Sequence, residues 1–230
     1  MTSQLDSPSP PVQRLRARYS KKNDARFIGH LDVSRFWERV FRRVDLPIAY
    51  SHGFNPQARL QFASALPVGI EGENELVDVW LLERIDPAVW LYRLQGALPP
   101  GFALHDLIEL PLKSPAMQSS LRYAVYKVLL RSDISQHELR DRVQSLLSKS
   151  AILRPHQKKH DKTYDLRPLV DSLDVQTENG TVVLEMKLRA GQEGNARASE
   201  VLDELGLDDR QFTISRLNLL FDDPVIDAAG

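Results

Sequence analysis

The chain has 230 residues, 42% hydrophobic and 27% charged, with 30 Lys and Arg against 31 Asp and Glu. That is an ordinary globular composition, long enough for one large or two small domains. There are no cysteines, which excludes disulfides, a thiol nucleophile and any cysteine-ligated zinc or iron–sulfur site.

Residues 1–11, MTSQLDSPSPP, read as a disordered tail, since Ser and Pro dominate and nothing can be buried. They hold no apolar signal-peptide core, and no apolar run reaches the ~18–20 residues of a spanning helix. A cytoplasmic protein without membrane contact is expected. Arg14 to Ser20 alternates Leu15, Ala17 and Tyr19 with Arg14, Arg16 and Arg18, the two-residue period of a strand. One face enters a core and the other carries three guanidinium groups. From Asp32 to Val44, the positions Val33, Phe36, Trp37, Val40, Phe41 and Val44 form one helical stripe. Arg35, Arg39 and Arg42 fall opposite, with Arg43 beside them. Asp32 is the expected N-cap, and Asp45-Leu46-Pro47 ends the helix.

Residues 47–75 mix short apolar pieces with Gly and Pro, which predicts an irregular second strand and a long loop. Leu76 to Leu82 is a third strand with Asp78 inside it. Asp86-Pro87 opens a second helix, Ala88 to Ala97, and Phe102 to Leu110 is a fourth strand. Pro111 to Ser120 reads as a linker. The order then recurs: a strand at Leu121–Arg131, a helix behind a Ser135/Glu138 capping box, and an irregular stretch over 152–171. Two strands follow, joined by the hairpin signal Asn179-Gly180, then a helix at Ser199–Leu205 and a strand at Phe212–Phe221. The expected fold is α+β, with two tandem ferredoxin-like (βαββαβ) halves built on antiparallel sheets. The expected domains are 12–111 and 121–221, joined by 112–120 and followed by a tail at 222–230.

Charge is segregated. Residues 14–43 carry ten basic side chains against three acids, and residues 154–167 five against two; residues 71–109 and 171–230 are acidic. Such blocks make local fields that a near-zero net charge hides. Signatures of phosphate loops, dinucleotide folds, zinc proteases and serine hydrolases are all missing. His30, just before the first helix, is a candidate general base for activating an RNA 2′-hydroxyl, although a hydrogen bond to a loop carbonyl or a phosphate serves as well. His156 and His160 stand i, i+4, but Pro155 and the basic Arg154, Lys158, Lys159 and Lys162 oppose a cation, so no metal or other cofactor is expected. The stretch YSHGFNP, Tyr50 to Pro56, is either a binding loop or a packed turn. The expected RNA-contacting set is Arg14, Arg16, Arg18, His30, Arg35, Arg39, Arg42, His52, Lys158, Lys159, Lys162 and Arg167, with pairing of the first-strand arginines to Asp78 as the alternative.

Gly29-His30-Leu31-Asp32, Leu46-Pro47, Tyr50-Ser51 with Gly53-Phe54-Asn55-Pro56, and Leu66-Pro67-Val68-Gly69 followed by Glu75 carry a family resemblance. So do the KKHDKTYDLRPLV segment and Ile214-Ser215-Arg216. Over about residues 14–221 the chain resembles the radical-SAM-linked protein family, a domain of unknown function fused to or encoded beside cobalamin-binding radical SAM proteins. Gln57-Ala58 and Ala198 depart from its pattern. The resemblance implies a radical SAM protein as partner and a gene context near RNA processing. Since this chain lacks the cysteines of a cluster, it implies an accessory role. A weaker likeness, at fold level, is to CRISPR repeat-processing endoribonucleases. The expectation is a non-catalytic RNA-binding accessory protein that presents tRNA or ribosomal RNA to a radical SAM partner. The alternatives are a metal-independent endoribonuclease using His30, and a protein–protein scaffold.

Overall fold

The computed structural model describes residues 9–131, 134–155, 162–207 and 212–222. The tails expected at 1–11 and 222–230 therefore lie largely outside the described residues. The chain divides into two compact units, the first extending to Met117 and the second beginning at Gln118. The class is α+β, with antiparallel strands and few helices.

The first unit runs β1 (Gln13–Lys21), α1 (His30–Arg43), β2 (Leu60–Phe62), β3 (Glu71–Leu81), α2 (Pro87–Ala97) and β4 (Phe102–Leu110). β1 lies between β4 and β3 and is antiparallel to both, and β2 pairs antiparallel with β3. Leu15, Ala17 and Tyr19 of β1 and Val77, Val79 and Leu81 of β3 are buried on the helix side. The α1 stripe packs onto them as its periodicity requires. Tyr19 meets Trp37 edge-on at 5.0 Å, and Phe36 stacks on Phe102 at 4.0 Å between ring centroids. Each such side chain, moved fully out of water, contributes about 1.5–3 kcal/mol. Asp86 caps α2, its Oδ1 accepting from the Ala88 amide at 2.9 Å, with Pro87 in the first turn.

The helix α1 starts two residues before the expected position. Gly29 is its N-cap, no side chain caps it, and Asp32 sits inside the first turn, paired with Arg35 at 3.3 Å. The carboxylate still lies at the positive end of the helix dipole. The irregular second strand is only three residues long and pairs with Val77–Val79 of β3.

A single turn, α3 (Met117–Ser120), spans the boundary and leads into the first strand of the second unit, β5 (Leu121–Leu130). There follow α4 (Gln136–Ser148), β6 (Leu153–Pro155), β7 (Thr163–Asp165), β8 (Val170–Glu178), β9 (Thr181–Arg189), α5 (Ala198–Glu204) and β10 (Phe212–Phe221). The strands lie in the order β10-β5-β9-β8, all antiparallel. Ser135 Oγ accepts from the Glu138 amide at 3.1 Å and so caps α4, while the Glu138 carboxylate turns to Arg142 at 2.7 Å instead of closing the box. Asn179 and Gly180 both have positive φ, 48° and 79°, the hairpin geometry their sequence signals. The stretch read as irregular contains the small β6–β7 pair.

Candidate nucleic-acid interface

The arginine row of β1 does not face solvent as a set. Arg14 and Arg16 are each only 2% exposed and converge on Asp78, which is fully buried. Asp78 stands directly opposite Arg16 in the β1–β3 ladder. Arg16 Nε is 2.8 Å from Oδ1, and Arg14 Nε is 3.0 Å from Oδ2. Arg14 also donates to the carbonyls of Ser114 at 2.5 Å and Pro115 at 3.2 Å, and its guanidinium lies 4.6 Å from the centre of the Trp80 ring. The linker carbonyls and Trp80 thus cover this face, and the expected exposure of Arg14 and Arg16 is corrected. The alternative of pairing with Asp78 is what the structure holds. Arg18 is half-buried and donates to Asn74 Oδ1 at 3.1 Å.

The arginines of α1 are placed differently. Arg35, Arg39 and Arg42 are exposed, within about 60° of one another around the helix and opposite the buried stripe. Arg35 pairs with Asp32 across an exposed 3.3 Å contact of little energetic weight. Arg39 and Arg42 have no carboxylate within ion-pair distance among the described residues. Arg43, beside them, reaches the Ala97 carbonyl at 3.4 Å.

The Tyr50–Pro56 loop is fastened to this same side of α1. Tyr50 pairs with Ala58 in an isolated bridge. The Ser51 amide donates to the Gln57 carbonyl at 2.7 Å, and the Gln57 amide donates back to Ser51 Oγ at 2.9 Å. The Tyr50 hydroxyl donates to Glu38 Oε1 at 3.4 Å, one helical turn from Arg42. Burial, and after it the Glu38 carboxylate, raises the Tyr50 pKa, with Arg42 opposing. The phenol therefore stays protonated as a structural donor. His52 to Pro56 project outward, and Phe54 at the tip is fully exposed. Gly53 allows the sharp turn, with φ of 124°. Arg59, on the chain leaving the loop, is exposed with its guanidinium 5.5 Å from the Trp80 ring centre.

His30 is half-buried at the start of α1, its ring edge-on to Phe62 at 5.1 Å. Asp32 pairs with Arg35, so the nearest acid in sequence is engaged elsewhere. In the second unit, Lys162 is exposed. Arg167 is half-buried and donates to the carbonyls of Leu147 and Val170, both at 3.1 Å. Arg154 pairs with Asp203 at 2.9 Å and Glu204 at 2.8 Å. His156, Lys158, Lys159 and His160 lie outside the described residues. Among the described residues, no group of three His, Asp or Glu is placed to hold a metal ion, and no helix is long and apolar enough to cross a membrane.

The structure brings Arg35, Arg39, Arg42 and His52 to one side of the first unit, and it separates them from Arg14 and Arg16. Reading the residues in sequence misses Phe54 as a member of this surface, whereas Arg59 lies over Trp80 on the face of the sheet that carries Arg14. The signal was there for Phe54, an aromatic in a Gly/Pro turn, but alternation and periodicity do not extend into loops.

Fold and surface define an α+β protein with antiparallel sheets and an exposed arginine face on its first helix. The chain belongs to a family described as an uncharacterized protein conserved in bacteria (DUF2344), whose model matches residues 14–198. That match carries no link to radical SAM proteins. No curated protein matches the chain. Among solved structures, it is similar to a chain of a Cbf5-Nop10-Gar1 complex, with 11% identity and a TM-score of 0.46. That alignment covers 97% of this chain and 56% of the other, so the chain spans a little over half of it. It is also similar to an unknown protein from Galdieria sulphuraria, with 15% identity and a TM-score of 0.27, over 92% of this chain and 99% of that one.

Proposed function

We propose that the chain is a non-catalytic RNA-binding accessory protein built from two ferredoxin-like units. Support for the fold comes from the strand orders, β4-β1-β3 with β2 on β3 and β10-β5-β9-β8. Leaving aside the small β6–β7 pair, the first and third strands of each unit, β1 with β3 and β5 with β9, are neighbours, and the helices α1, α2, α4 and α5 follow those strands.

The observation that carries the RNA reading is the exposed row of Arg35, Arg39 and Arg42. Planar guanidinium groups are suited to phosphate oxygens, which they can meet with two hydrogen bonds each, and Arg39 and Arg42 have no carboxylate within ion-pair distance among the described residues. Phosphate contacts position a protein on RNA without reading its sequence. His52, exposed on the loop bonded to α1, extends the polar rim of the same surface, and Lys162 is a separate contact. An RNA of the tRNA or ribosomal class and a radical SAM partner belong to this reading through the family resemblance alone. Crosslinking the native protein in cells and sequencing the attached RNA tests it. Enriched discrete RNA species with crosslinks at α1 or the Tyr50–Pro56 loop are expected, and recovery no greater than background contradicts it.

A further inference from the structure

The Tyr50–Pro56 loop is the feature that phosphate binding alone leaves unused. A single exposed apolar residue is ordinary on a protein surface. Phe54 differs in three respects. It stands clear of every neighbour, at 112% of the reference exposure. Its loop does not hang free, since the Tyr50–Ala58 bridge and the reciprocal Ser51–Gln57 hydrogen bonds close its base. The base is in turn bonded to α1 through Tyr50 and Glu38, next to Arg42. A braced loop therefore holds a phenyl ring in water at the edge of a cationic row.

We infer that Phe54 is a stacking platform for an unpaired base, so that the ligand of this surface is single-stranded or looped RNA and not a continuous duplex. The inference rests on the RNA reading given above. Bases inside a duplex are already stacked and present no free face, whereas splayed bases of loops and ends stack on aromatic side chains. The arginines beside the loop would hold the backbone on either side of the stacked nucleotide, the combination that single-strand binding surfaces use. Pro56 follows the tip and fixes the backbone there.

The test compares the full-length wild type with Phe54→Ala and Phe54→Trp. The probes are a fluorescently labelled mixed-sequence 16-nucleotide RNA, as single strand and as duplex with its complement, and the same strand carrying 2-aminopurine. Phe54→Ala is expected to weaken single-strand binding roughly 5- to 150-fold, the effect of losing one base–aromatic stack. Phe54→Trp is expected to keep it, and the 2-aminopurine emission is expected to be quenched by the wild type and the Trp variant but not by the Ala variant. Duplex binding and the salt dependence are expected to be the same in all three proteins. Equal single-strand affinity of wild type and Phe54→Ala overturns the stacking role while leaving the arginine row intact. No binding of any probe by the wild type overturns both readings.

Discussion

Asp78 stands directly across the β1–β3 ladder from Arg16, its Oδ1 2.8 Å from Arg16 Nε, with both side chains out of solvent. The same carboxylate also takes Arg14, so one buried negative charge holds two buried positive ones. Removing one partner of a buried pair leaves an uncompensated charge, which costs about 3–5 kcal/mol. Asp78→Asn is therefore expected to lose at least that much stability in chemical denaturation, or to fail to accumulate as folded protein. A loss below about 1 kcal/mol would mean that this cluster is open to water.

The same relationship separates structure from binding. The triple change of Arg14, Arg16 and Arg18 to Gln is expected to lower stability while leaving the salt dependence of RNA binding unchanged in whatever protein remains folded. Two of the three cations are enclosed and cannot reach a phosphate. A flattened salt slope in this variant, measured by fluorescence anisotropy, would return the β1 row to the binding surface.

Strand alternation alone could not decide this point. The period of two places Arg14, Arg16 and Arg18 on one face of β1, but says nothing about what covers that face. The cover is Trp80 with the carbonyls of Ser114 and Pro115, and the latter two sit about a hundred residues away in a segment that reads as a plain linker. The α1 stripe was legible because both its faces are written in one helix: Trp37 and Phe41 are fully buried and Arg39 and Arg42 are exposed. Asn179-Gly180 was legible because a type of turn needs two residues of positive φ. The β6–β7 pair was not, since its strands are three residues long and carry no alternation. Phe54 escaped for the opposite reason: its exposure follows from hydrogen bonds at the base of its loop and from no periodic pattern.

In the second unit, Tyr164 donates its hydroxyl to Glu200 Oε2 at 2.6 Å. Burial first, and then this bond, raises the phenol pKa from 10.0 to about 12. An unfolded chain loses this proton near pH 10 while the folded protein keeps it, so the contribution is complete below pH 10 and is lost as the pH rises towards 12. Tyr164→Phe is expected to cost about 1.5–3 kcal/mol at neutral pH, the weight of a hydrogen bond to a charged group. It leaves Glu200, 6% exposed, with the Arg197 amide at 3.3 Å. Its stability is expected to fall less steeply than that of the wild type between pH 10 and 12, as read by urea denaturation across that range. Parallel pH profiles would contradict the assignment.

His30 separates an accessory protein from a nuclease. A positioned general base is typically worth about 10²–10⁴-fold in rate, and the nearest acid in sequence, Asp32, pairs with Arg35. Purified protein is expected to leave labelled RNA intact in chelator from about pH 6 to 8, the range in which an ordinary imidazole titrates. His30→Ala is expected to fold normally and bind modestly more weakly. Site-specific cleavage by the wild type that vanishes in His30→Ala, with binding retained, would make the protein an enzyme.

The most direct measurement is the salt dependence of RNA affinity for the wild type and for the variant in which Arg35, Arg39 and Arg42 are all changed to Gln. These side chains are exposed and outside the core, so the variant is expected to fold as the wild type does. Each phosphate contact on a single strand contributes about 0.7 to the slope of log affinity against log salt. Wild-type binding that weakens steeply with salt, and a variant slope shallower by about 2, is the predicted result. A wild type that binds no RNA at about 50 mM salt, a concentration at which such contacts are strong, or a variant with an unchanged slope and affinity, would contradict the account.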